Sequence, residues 1–171
     1  VNHFPLLYRL NGQDCYLIWN SNDNDTVETD ALGHVLTFKD SQTMAAYAAA
    51  KQYALETEEP KLHDLDWVAQ WLTTTDIPVN CDDALCAWNL FGDVARSIPQ
   101  AGESFEQLDR RFGEVYNKLF WGNNLPAMTP EGCHFEPEWS SDEITELAIV
   151  LRTGLALFQS STLAMQEASW K

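Results

Sequence analysis

Positive charge is scarce in this chain. Ten Lys and Arg stand against 26 Asp and Glu, and the resulting net charge of −16 is unevenly distributed. No basic residue lies between Arg9 and Lys39, between Lys61 and Arg96, or between Lys118 and Arg152. A field of that sign repels nucleic acid and anionic membranes and draws in a cationic partner, most strongly at low salt. Basic patches interleaved with aromatics, the mark of a nucleic-acid surface, are missing. So is any run of about 18 uncharged apolar residues, which excludes a transmembrane helix. The first residues show neither the basic n-region nor the apolar h-region of a secretory signal, and a cytoplasmic protein is expected. Cysteine is sparse too. Cys15, Cys81, Cys86 and Cys133 form no CxxC pair and no dense framework, which reads as a reduced protein.

Recognisable catalytic wording is also missing. The chain has no GxSxG elbow, no glycine-rich phosphate loop and no protease cysteine signature. Carboxylate pairs such as Asp64 and Asp66, Asp82 and Asp83, or Glu136 and Glu138 arise by chance among so many acids. The four histidines are scattered, and Cys133 next to His134 is awkward for chelation because neighbours in extended chain point apart. An EF-hand count begun at Asp23 puts Glu28 where the sharp-turn glycine belongs, so that segment reads as a solvated hairpin loop. No catalytic residue, cofactor or metal is expected.

What is abundant is apolar and aromatic. With 45% apolar residues, seven Trp and eight Phe, the 171-residue chain can bury a sizeable core despite its charge. Leu6–Leu10 and Cys15–Asn20 flank Asn11-Gly12, a dipeptide that tolerates the positive φ of a tight hairpin. Further strands at Thr26–Thr29 and Val35–Lys39 flank a turn ending at Gly33. Ser41 then offers an N-cap to an Ala-rich helix running to about Glu56. From about Leu62 onward the periodicity is helical. Asp64–Leu72 carries Trp67 and Trp71 opposite Leu65, Val68 and Leu72, so this short helix is expected to be sandwiched between the two halves. Cys81–Ile98 buries Ala84, Trp88, Phe91 and Val94, places Asp82, Asn89 and Asp93 in a stripe opposite, and stops at Pro99. Ser104–Phe120 is the next helix. Gly122–Trp139 is aperiodic and rich in Asn, Pro and Gly; its aromatics and prolines point to an ordered wrap over the core. Ser140 and Glu143 form a capping box that starts the last helix. The fold class is α+β: an N-terminal antiparallel β-meander with one covering helix (residues 1–60) packed on a helical part (residues 61–171), together one compact unit. Trp88, Phe91, Phe112, Leu119, Ile144 and Leu151 are expected in the core.

The wording of the central segments carries a resemblance. WNLFGDVARSI at Trp88–Ile98, YNKLFWGNNLPAMTPEG at Tyr116–Gly132, the WSSDEI opening the last helix, and YLIWN followed by GHVLTFKD resemble an immunity protein of bacterial contact-dependent growth inhibition systems. The resemblance spans roughly Tyr16 to Phe158. It implies a small cytosolic antitoxin that binds one cognate toxin domain, commonly a nuclease such as an RNase, and neutralises it in a 1:1 complex. It supplies no binding residues position by position. Nucleases are typically cationic because they hold phosphates, and the acidity of this chain fits such a partner independently. Asp82 and Asp93 on the helix, and Glu131, Glu136, Glu138 and Trp139 in the loop, are the candidate partner-binding residues. Two other readings stay open. One is an enzyme whose site lies beneath the Gly122–Trp139 loop and holds a pKa-shifted carboxylate or His134. The other is an acidic interaction module with some other basic partner.

Overall fold

The Asn11-Gly12 dipeptide does what its φ preferences allow. In the computed structural model, which describes residues 1–74 and 76–165, Asn11 (φ 55°) and Gly12 (φ 70°) join strands β1 (Asn2–Leu10) and β2 (Gln13–Ser21) in a two-residue hairpin. The Asp66 carboxylate accepts from both turn amides, at 2.6 and 2.8 Å. Strand β3 (Thr26–Val27) adds antiparallel to β2, and β5 (Leu62–Asp64) adds parallel to β1, giving the order β3-β2-β1-β5 once β4 (Val35–Thr37) is set apart. Strand β4 pairs in parallel with β6 (Thr162–Ala164) and meets the larger sheet through a Tyr16–Phe38 bridge.

Both faces of this sheet are covered. Leu17 and Ile18, neighbours pointing to opposite faces, are each fully buried. On the Ile18 side lies α1 (Ser41–Ala50), with Met44, Tyr47 and Ala48 packed against Leu36 and Phe38. On the Leu17 side, Leu6, Tyr8, Leu17 and Val27 join the core of the helical layer. That layer comprises α2 (Leu65–Thr73), α3 (Cys81–Ser97), α4 (Pro99–Arg111), α5 (Gly113–Gly122) and α6 (Ser141–Ser161). The class is α+β, with the N-terminal strands against C-terminal helices. Thr75 and residues 166–171, which fall in the expected second half, lie outside the described residues.

Several boundaries differ from expectation, each for a local reason. The N-cap of α1 is Asp40, whose carboxylate accepts from the Thr43 amide at 2.7 Å, and the helix ends at Ala50 instead of Glu56 because Gln52 turns left-handed (φ 61°). Pro99 ends α3 and also opens α4 at its first position, where its missing N–H costs nothing. The single helix expected from Ser104 to Phe120 is broken at Phe112 and Gly113 into α4 and α5. Strands β5 and β6 had no alternating signal of their own, being only three residues long. Trp88, Phe91, Phe112, Leu119 and Leu151 are all buried, while Ile144 is half-buried against the same core. Trp71 is fully buried and donates to the Ile77 carbonyl, with Trp67 stacked on it at 6.1 Å.

Candidate partner-binding surface

The segment after α5 is long, yet its backbone is tied down. Gly122 lies so close to Cys81 and Pro137 that an added Cβ would sit 2.6 Å from the Cys81 sulfur. Asn123 donates through Nδ2 to the carbonyls of Cys81 and Leu119, fastening the loop to the start of α3. Asn124, left-handed at φ 48°, reaches across the loop: its side chain accepts from the Phe135 amide at 2.7 Å and donates to the Phe135 carbonyl at 2.9 Å. At the far end Ser140 and Glu143 close their capping box, and Lys118 bonds both Glu143 and the Glu138 carbonyl.

Onto this fixed frame the chain places apolar side chains facing water. Trp121, Leu125, Met128 and Phe135 are between 40% and 52% exposed, and four of the eight large exposed apolar residues among those described thus fall within fifteen positions. Exposure of single apolar residues is ordinary; their clustering on one ordered segment makes it the candidate interaction surface. Trp121, Met128 and Phe135 line a hollow of about 360 Å³. On its other side Phe135 joins Leu125 along a groove whose far wall is the N-terminus of α3.

Two carboxylates border the cluster. Asp82 and Glu136 line the same groove, so the structure joins one helix candidate to one loop candidate. Asp82 is ion-paired with Lys61, and Asn80 caps the helix by accepting from the Asp82 and Asp83 amides. Burial, then the charges of Asp64 and Asp82, raises the Asp83 carboxyl above its ordinary range. Glu131 and Glu138 are exposed, and Glu136 lies 3.6 Å from His134 on the surface. Trp139 does not stand out as an anchor. It packs half-buried against the core, and Lys118 lies 5.3 Å over its ring.

Asp93 departs most from its expected place. Instead of sitting on a solvated stripe it is 9% exposed, bonded to Arg96, and faces a separate cavity between the sheet and α3. The periodicity put it opposite the apolar stripe correctly, but the sheet covers that side of α3 as well. Burial pushes its carboxyl up to about 6, against the pull of Arg96. The folded state therefore holds this proton more tightly than the unfolded chain. Its contribution to stability is full below about pH 4 and falls as pH rises to about 6. Asp93→Asn should then stabilise the protein at pH 7 by on the order of 1–3 kcal/mol, with the gain gone by about pH 4. Denaturant melts at both pH values measure it; a variant less stable at pH 7 would show that the Arg96 pair outweighs burial.

The apolar cluster went unseen in the sequence, although a signal existed. Trp121 follows the apolar stripe of its helix without belonging to it, and an off-stripe tryptophan is a candidate anchor. Among the described residues no group of three or more His, Cys, Asp or Glu could hold a metal ion, and no helix is long and apolar enough to cross a membrane.

No protein-family model matches the chain, and no curated protein is detectably similar to it. Among solved structures it is similar to the C-terminal domain of SatS, crystallised in complex with bromine. The TM-score is 0.60 at 12% identity, over 96% of this chain and 94% of that one. At that identity the likeness is one of fold alone.

Proposed function

We propose that this chain is an immunity protein: it binds a cognate cationic toxin domain 1:1, in the cytoplasm of the cell it protects, and neutralises it by occlusion, without chemistry on the toxin. A nuclease, and an RNase in particular, is the toxin class we favour, because such a domain must present a basic cleft for phosphates. The observation that carries the reading is the pinned loop, with its four exposed apolar side chains, Asp82 and Glu136 on the groove beside them, and Glu131 and Glu138 exposed on the same segment. An apolar centre within a charged rim is the anatomy of a protein interface. The net charge of −16 and the resemblance of the central segments to contact-dependent growth inhibition immunity proteins support the same reading.

The division of labour follows from the chemistry. Rim carboxylates act on encounter, where steering can bring association to about 10⁸ M⁻¹s⁻¹ at low salt. Charge reversal at both Glu136 and Glu138, to Lys, should slow association with the toxin domain by about tenfold at low salt and far less at high salt. Stopped-flow mixing across a salt series reads this; an unchanged low-salt rate would remove these two residues from the interface.

A further inference from the structure

The cavity that contains Asp93 is formed by a detour of the chain. Leu55 bridges His3 at the edge of β1, and Leu62–Asp64 pair with Leu7–Arg9 further along it. Between those two contacts, residues 57–61 leave the sheet edge and open a space of about 340 Å³ beside Phe4–Leu6. One wall is aromatic, with the Phe4 and Trp19 rings 5.3 Å apart at 46°. Leu90 and Asp93 of α3 form another wall, and Glu58 and Glu59 stand exposed at the rim.

One polar group among the described residues needs more than the fold supplies, and a buried carboxylate lies beside it. The Trp19 Nε1–H is buried and without a hydrogen-bond partner, although it lies near enough to the Asp93 carboxylate to favour its charged form. Asp93 itself is nine-tenths buried, and Arg96 engages its Oδ1. A buried donor left without a partner is uncommon in native folds and calls for one.

The charge inside the cavity is negative. Lys61 lines it, but its ammonium is drawn to Asp82. The Nδ1 of His63 lies 3.3 Å from the Leu7 carbonyl and 3.2 Å from that of Lys61, so it carries the proton. Burial lowers the pKa of this imidazole, which stays neutral at pH 7 and adds no positive charge. With Arg96 engaging only one oxygen of Asp93, the surplus charge is that of Glu58 and Glu59 at the rim, above apolar and aromatic walls.

We infer that this cavity binds a guanidinium group carried on a short apolar stem, with the cation against Asp93 and the stem along Trp19 and Leu90. Guanidinium is planar, weakly hydrated, able to lie on aromatic faces and matched to a carboxylate. An acceptor on the stem, such as an amide carbonyl, would also satisfy the Trp19 N–H. The group can come from a free small molecule or from an arginine of a bound protein. The site stands independently of the loop surface and of the toxin reading.

The test uses the full chain alone, so its result does not depend on any toxin. n-Butylguanidinium is titrated while the Trp19 indole resonance, assigned with Trp19→Phe, is followed by NMR. A saturable shift at millimolar concentration is expected, with none from n-butanol. Asp93→Asn should weaken binding by about tenfold or more, and Glu59→Gln, which alters only the exposed rim, by a smaller factor. Acetyl-Gly-Arg-Gly-amide separates the sources: binding as tight as n-butylguanidinium assigns the site to an arginine in a chain, and exclusion of the peptide assigns it to a small molecule. A Trp19 signal that n-butylguanidinium leaves unmoved, an equal response to n-butanol, or unchanged affinity in Asp93→Asn would each overturn the inference.

Discussion

Gly102→Ala is expected to destabilise the protein by about 2–3 kcal/mol, although helix propensity alone favours alanine there by about 1 kcal/mol. The cause is the tight return of the chain from α3 into α4 around Pro99. A Cβ on Gly102 would lie 2.2 Å from the Ala95 carbonyl oxygen and 2.5 Å from its Cα. Those are backbone atoms in the last turn of α3, and no rotamer change moves them out of the way. The two helices would have to separate, loosening Phe105 from Phe91. Gly113 is the control, because an added Cβ there meets nothing within 4 Å. Gly113→Ala should therefore be neutral or stabilising by up to about 1 kcal/mol. Equal stability of the two variants in denaturant melts would mean that α3 and α4 do not approach as described.

Trp121→Ala combined with Phe135→Ala should weaken toxin binding by about a hundredfold or more while leaving folding almost unchanged. Both side chains are about half exposed in the free protein, so truncation costs the fold far less than removing a core aromatic. In a complex they would be desolvated at the centre of the apolar cluster, where a single aromatic anchor can contribute about 2 kcal/mol or more. The loss should appear mainly as faster dissociation, unlike the slower association expected of the Glu136 and Glu138 reversals. Surface plasmon resonance on the toxin domain distinguishes the two. Wild-type affinity in the double variant would place the interface elsewhere on the molecule.

How far the sequence alone reaches depends on the range of the interactions involved. Asn11-Gly12, the capping box at Ser140 and Glu143, and the stripe through Trp88, Phe91 and Val94 are set by residues a few positions apart, and each is found where the pattern puts it. Strands β5 and β6 exist because β1 and β4 offer them edges from far along the chain, which no local pattern records. Asp93 shows the same limit at the level of a single side chain. Helical periodicity located it opposite the core stripe, but only tertiary packing places the sheet over it. The loop was legible as ordered. The pins that order it, Asn123 and Asn124, act through partners at Cys81 and Phe135, and so do not show as a motif.

The proposal that this chain neutralises a toxin by occlusion is tested most directly by stoichiometry. The gene immediately upstream is expected to encode a large secreted protein with a variable C-terminal toxin domain. That domain is purified, its nuclease activity measured, and this protein titrated into it. Occlusion requires activity to fall linearly and vanish at one equivalent, and to return when the complex is denatured and the toxin refolded alone. Full activity at a large excess of this protein, complete inactivation by a small fraction of an equivalent, or a toxin left covalently altered would contradict it.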